Sequence, residues 1–279
     1  MKARIQLDAG EVITELSSPI DIAIDLDFSA DQPHHFGAPA AATHPFSVPG
    51  FSGSVAQGAS CNCNVITLIP HCNGTHTECV GHLTLERLDA HRLIPRGLVP
   101  ALLTTVMPVD AHGTLETTDP LPQPADKLIT RGAIERAWTA TLPFPPQALV
   151  IRTRPRSDIT YSVASVVDES VGRNPVPPYL SRDAVELLVA RGIEHLVVDL
   201  PSIDRSHDEG KLTAHRVFFG LPKGSRSLRT AARATSTVTE LAHIPDDVAD
   251  GPYLLEIQSP AIAGDAVPSR PLLYPFELP

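Results

Sequence analysis

The chain alternates between short apolar stretches and stretches crowded with proline, glycine and small polar residues. From Ile20 to Phe28, Ile22, Ile24 and Leu26 are set against Asp21, Asp25 and Asp27. That period of two predicts a half-buried strand. Cys61 to Ile69 predicts another, with Val65, Ile66, Leu68 and Ile69 leading into a polar loop. Leu98 to Val109 predicts a strand too apolar to be exposed on both faces, and Ala148 to Thr153 a short buried strand. Ser181 to Gly192 predicts a helix: Ser181 can cap it, Asp183 suits its first turn, Ala184, Leu187 and Leu188 share a face, and Gly192 can end it. Thr130 opens a second helix with Ile134, Ala137 and Trp138 at helical spacing. His195 to Leu200 follows as a buried strand with an acidic end, and Tyr253 to Ile257 and Leu272 to Phe276 are two more strands. Helices alternating with apolar strands predict an α/β fold with a parallel or mixed sheet. No repeat and no compositional break divides the chain, so one domain over residues 1–279 is expected.

Composition narrows this picture. The 28 prolines argue against a helical bundle. With 42% hydrophobic residues the chain can bury a sizeable core, and a net charge of −10 disfavours nucleic acid or an anionic membrane as partner. No apolar run is long enough to span a bilayer, and Met1 to Asp8 lacks the apolar centre of a signal peptide. The expectation is a cytoplasmic protein with reduced cysteines and a small-molecule substrate. Residues from about Ala40 to Ser60 are rich in Gly, Pro and Ser and read as a lid or pocket wall.

One window concentrates the chemistry. His71-Cys72-Asn73-Gly74-Thr75-His76-Thr77-Glu78-Cys79-Val80-Gly81-His82 holds three histidines, two cysteines and a carboxylate. A lone histidine is usually an ordinary core or loop residue; six such groups in so short a window point to a metal or to proton transfer. In extended backbone His76 and Glu78 project to the same side. The Gly74-Thr75 turn can bring either Cys72 or His71 around to join them. Glu78 can bridge two ions, and His82 can serve as acid or base. No Gly-x-Ser-x-Gly elbow suggests a serine hydrolase.

Gly74-Thr75-His76-x-Glu78-x-x-x-His82 resembles the H-x-G-T-H-x-D-x-P-x-H signature of the cyclase family, which includes bacterial kynurenine formamidases and isatin hydrolases. The likeness continues through Gly192-Ile193 to Asp199-Leu200-Pro201-Ser202-Ile203-Asp204, then Ala214-His215-Arg216, Val238-Thr239-Glu240-Leu241 and Val267-Pro268-Ser269-Arg270-Pro271. The resemblance implies a mixed α/β fold with a barrel-like β core and flanking helices, of the swivelling β/β/α kind seen in kynurenine formamidase. It implies a homodimer or homotetramer. It also implies a divalent-metal hydrolase cleaving a formamide or cyclic amide of a small, aromatic substrate. The implied ligands are Cys72 (or His71 in its place), His76 and Glu78, with His215 and Glu240 completing a second site, so that one or two ions are held. His82 is the implied general acid/base. His35 and Phe36, beside His34, fall where family members line the substrate pocket. Ser202 and Asp204 fall near the substrate and near the second ligand group, and can orient a ligand there. The sequence departs from the signature in three places: Cys72 for His, Glu78 for Asp and Val80 for Pro. A thiolate ligand would favour Zn²⁺ over Mn²⁺. The basic segment with Lys223, Arg226, Arg229 and Arg233 lengthens the spacing from His215 to Glu240 and reads as a solvated loop or an anion-binding edge. The competing readings are a metal-dependent cyclase or lyase and a non-catalytic binder of a small ligand or zinc.

Overall fold

The computed structural model describes residues 1–7, 10–139, 142–155 and 176–279. Its frame is a nine-stranded mixed sheet that curls into a half-barrel, with few helices. In chain order its strands are β1 (Ile20–Asp21), β2 (His76–Cys79), β3 (Val99–Val106), β4 (Ala148–Thr153), β5 (His195–Val198), β6 (Thr237–Glu240), β7 (Gly251–Gln258), β8 (Ala266–Pro268) and β9 (Arg270–Tyr274). Across the sheet they run β8-β2-β6-β5-β4-β3-β7-β9-β1. The central four, β6, β5, β4 and β3, are parallel; the strands on either side pair antiparallel. Helices α1 (Arg131–Ala137), α2 (Arg182–Ala190) and α3 (Thr213–Phe218) complete the α/β arrangement.

β4 shows why the apolar runs lie in the middle. Every residue from Ala148 to Thr153 is buried. Leu149 and Ile151 pack with the helices, against Leu187 and Leu188 of α2 and Phe218 of α3. Ala148 and Val150 project to the other face, against Leu103, Val197 and Leu255. Burying a side chain of this size contributes about 1.5–3 kcal/mol, so one polar substitution here would be felt across both faces. The helix starts are as the sequence reads: Thr130 Oγ1 accepts the N–H of Ala133, and Ser181 Oγ that of Ala184 at 3.0 Å.

Two strands differ from expectation. The alternating stretch from Ile20 to Phe28 is a strand only at Ile20–Asp21, pairing with β9. Its aspartates capture nearby N–H groups instead: Asp21 takes that of Ala23 and Asp27 that of Ser29. These local turns replace the ladder. The strand expected from Cys61 to Ile69 is reduced to Asn64–Thr67, which pairs with Ala42–Pro45 in an exposed two-stranded arm outside the main sheet. Among the described residues no helix is long and apolar enough to cross a membrane.

Candidate metal centre and active site

The sequence window ends on the strand that matters. β2 lies between β6 and β8, with Glu240 opposite His76 on one side and Pro268 opposite it on the other. Directly paired residues project to the same face, as do residues two apart on one strand. His76, Glu78 and Glu240 therefore share a face by register alone. On the opposite face a run of hydroxyls locks the three strands: Thr77 Oγ1 meets Thr239 Oγ1 at 2.7 Å and donates to Ser269 Oγ at 2.8 Å. His215 comes from α3 and completes the group. Glu78, His215 and Glu240 are all buried, each offering a ligand atom within 4.8 Å of the others.

What surrounds each of these side chains fixes which atom points inward. The Gly74 carbonyl can only accept, so the His76 Nδ1–H donates to it at 3.0 Å and Nε2 faces the centre with a free lone pair. Asp204 accepts from His215 Nδ1 at 2.7 Å and from the N–H groups of Ala214 and His215, which turns His215 Nε2 inward. Glu240 Oε1 accepts the N–H of Ile203 at 2.8 Å, leaving Oε2 3.6 Å from His76 Nε2. His215 Nε2 and Glu78 Oε1 approach to 2.6 Å, yet both, like His76 Nε2, stand without a geometrically satisfied hydrogen bond. Buried polar atoms left so are rare and costly unless something occupies the space they converge on. Three inward nitrogen and oxygen donors, backed by carbonyl and carboxylate partners, fit a divalent cation.

The electrostatics agree. Burial alone would raise the Glu78 carboxyl, but the positive charge of His215 and the bond from His71 hold it well below its ordinary value. Glu240 is held down in the same way, against its burial, by His215 and His76. His215 is driven well above the ordinary imidazole value, its burial outweighed by Glu78 and Asp204. In the metal-free protein protons on histidine thus supply the positive charge that the carboxylates require. A divalent cation can replace those protons.

Of the two alternatives for the first ligand, His71 turns inward and Cys72 does not. His71 Nδ1 lies 2.9 Å from Glu78 Oε2, and His71, His76 and Glu78 form a second convergent group. Cys72 belongs to no such group among the described residues; burial simply pushes its thiol up. The reason is local. The N–H groups of Cys72 and Asn73 both bond the Ile69 carbonyl, while the Asn73 side chain accepts from Ile69 and donates to Pro39. This knot, with Gly74 at φ 156°, fixes the chain between His71 and the start of β2. The case for zinc built on a thiolate ligand falls with it; the converging donors are nitrogen and oxygen only.

A third group, His71, His82 and Asp265, lies at the exposed rim. Asp265 Oδ2 is shared, 3.0 Å from His71 Nε2 and 3.3 Å from His82 Nδ1. These bonds hold its carboxyl far below the ordinary range. His71 is raised to about 10, because Asp265 and Glu78 together outweigh its burial. The His82 side chain is 30% exposed and sits on a short 3-10 turn, Val80–Leu83, just past β2. Sequence reasoning missed Asp265. Its signal was faint: a carboxylate two residues before Val267-Pro268-Ser269, in the turn that leads β8 back past β2.

The residues expected to contact substrate fall into two sets. Asp204 is buried and spends its oxygens on Ala214 and His215, and Ser202 Oγ accepts the Asp204 N–H at 3.1 Å. Both support His215 from behind. His35 is also buried, its N–H bonded to the Cys72 carbonyl beneath the window. Phe36 is half exposed, with a left-handed φ of 57°.

The family model for the cyclases matches residues 15–205. The chain belongs to the cyclase family. The likeness extends to solved cyclase-family structures over nearly the whole chain. A structure described as a predicted metal-dependent hydrolase from Bacillus stearothermophilus is 17% identical, with a TM-score of 0.54 and coverage of 92% of this chain and 98% of the other. Isatin hydrolase A from Labrenzia aggregata, solved with benzyl benzoate, is 14% identical, with a TM-score of 0.57 and coverage of 93% and 94%. Isatin hydrolase A from Ralstonia solanacearum is 15% identical, with a TM-score of 0.53 and coverage of 92% and 91%. At these identities the likeness is one of fold. No curated protein sequence matches the chain. Within the cyclase match lie His71 to His82 and Asp204; His215, Glu240 and Asp265 lie beyond it, brought to the same point by α3, β6 and the turn before β8.

Proposed function

We propose that this cyclase-family chain is a metal-dependent hydrolase of a small cyclic or aryl amide. The observation that carries the reading is the buried Glu78–His215–Glu240 group, in which Glu78 Oε1 and His215 Nε2 converge without a well-aligned hydrogen bond. His71, His76, Glu78, His215 and Glu240 would hold the metal, one ion or two, with Glu78 between the two groups. When bound, a divalent cation supplies Lewis acidity, polarising a carbonyl and making water nucleophilic near neutral pH.

The protein's own groups do the rest. Asp204 and the Gly74 carbonyl hold His215 and His76 with Nε2 inward. His82, at the open rim, accepts a proton from the attacking water and returns it to the leaving nitrogen. Asp265 binds His82 Nδ1 and so directs Nε2 toward the substrate side. Such a proton carrier typically contributes about 10²–10⁴ in rate. Phe36, half exposed near the window, offers a flat apolar surface to an aromatic ring. The isatin hydrolases of the same fold are named for a cyclic amide, which supports that substrate class beside an aryl formamide.

The test is metal content together with hydrolysis of aryl formamides and isatin-type lactams, by the native protein and by His82→Ala. Metal-replete protein that turns over no amide, lactam or lactone would overturn the proposal. A product without ¹⁸O from labelled water would favour a cyclase or lyase instead.

A further inference from the structure

The basic segment that lengthens the chain between His215 and Glu240 builds a second concave site. It lies against the face of α3 turned away from His215, beside the start of α2 and the loop Gly220 to Arg226. The space is about 550 Å³, the size of a small-molecule site. Five cationic side chains line it (Arg182, Lys211, Arg216, Lys223 and Arg226) against one carboxylate, Asp119. In a chain with net charge −10 and only 22 lysines and arginines, that concentration is local and of the opposite sign to the molecule.

The cations are incompletely neutralised. Lys223 pairs with Asp119 at 2.5 Å. Among the described residues Arg182 and Lys211 pair with exposed glutamates, Glu186 and Glu209, pairs of little energetic weight. Arg216 is different. Its Nε donates to the Lys211 carbonyl and its Nη1 to those of Pro222 and Ser225, so the guanidinium is fixed in place by backbone carbonyls, with no carboxylate paired to it among the described residues. Arg226 has no ion pair among the described residues. A pre-positioned guanidinium flanked by further cations suits a multiply charged tetrahedral anion, because a single carboxylate would leave most of the charge unmatched. Val217 and Leu221 add apolar wall for an organic moiety.

We propose that this cavity binds a small organic phosphate. The site is separate from the metal centre, behind the helix that carries His215, and the inference does not depend on the reaction catalysed.

The test is calorimetric titration of the metal-loaded protein with phenyl phosphate and with benzoate, at ionic strength held constant with sodium chloride. Phenyl phosphate should bind saturably and more tightly than benzoate. The double variant Lys223→Gln/Arg226→Gln alters two exposed side chains and should leave the thermal midpoint and turnover intact. It should weaken phenyl phosphate about tenfold or more, as expected for lost charge-assisted hydrogen bonds. His82→Ala should leave binding unchanged. Equal binding of benzoate, no effect of the double variant, or loss of binding in His82→Ala with the double variant unaffected would each overturn the proposal.

Discussion

Two of the convergent groups of candidate ligands beside β2 are built in opposite ways. The inner one, Glu78, His215 and Glu240, is buried, and strand register, Asp204 or a backbone N–H fixes each member from behind. The outer one, His71, His82 and Asp265, is partly exposed, comes from loops and turns, and depends on one shared oxygen, Asp265 Oδ2. A buried group with fixed donors can hold a cation tightly; a rim group with one exposed imidazole can pick up and release a proton. The backbone marks the same division. Leu241, after Glu240, and Leu212, before α3, take left-handed φ of 56° and 49°, a conformation that costs a leucine about 1–3 kcal/mol. Strain of this kind flanks both inner ligands outside β2.

The comparison breaks most visibly at Glu78, which belongs to the buried group and also to the His71–His76–Glu78 group. Glu78→Gln should abolish metal retention after dialysis, measured by elemental analysis, and turnover with it. It should also destabilise the metal-free protein by about 3–5 kcal/mol, because it leaves buried charge unpaired. His82→Ala should do the reverse: metal content unchanged, kcat reduced by about 10²–10⁴. Asp204→Asn should fall between, weakening metal affinity about 10–100-fold by loosening His215 while leaving the fold intact. Cys72→Ser should do least. Metal content and spectrum should match the native protein, whereas His71→Ala should lose metal; the opposite pattern would return the first ligand to Cys72.

The pH dependence sharpens the same contrast without any mutation. In the metal-free protein Glu78, Glu240 and Asp265 have depressed values, so their stabilisation is present above the ordinary carboxylate range and is lost as pH falls through the folded values. His71 is raised from 6.5 to about 10, so its contribution is complete below 6.5 and is lost as pH rises toward 10. Thermal unfolding of the metal-free protein should therefore show greatest stability in the weakly acidic range and decline above neutrality. Metal binding requires the histidines unprotonated, so metal-loaded protein should gain stability over that same upper range.

Much of this was legible in the sequence, for identifiable reasons. β3, β4 and β5 announce themselves because strands buried on both faces are mostly apolar, as at Leu102, Leu103, Leu149, Val150, Leu196 and Val197. His76 and Glu78 share a face because they are two apart on a strand, and Ser181 caps α2 because its hydroxyl matches an N–H otherwise unpaired. The remainder depended on partners far away in the chain. The alternation after Ile20 was real, but aspartate side chains compete for the same N–H groups. Asp265 has no local pattern to signal it, and α3 is six residues long behind a left-handed leucine, too short for periodicity to reveal. The choice between His71 and Cys72 turned on a single-residue offset, and that offset is made by the backbone of Ile69 and the side chain of Asn73.

That offset has a practical consequence. Nitrogen and sulfur stand side by side at positions 71 and 72, and the length of the turn selects between them. Changing the length of the three-residue stretch Asn73 to Thr75 by one residue leaves both candidate donors untouched and should exchange imidazole for thiolate. Metal preference should then follow loop length separately from the choice of side chains, which metal-selectivity measurements on such variants would check.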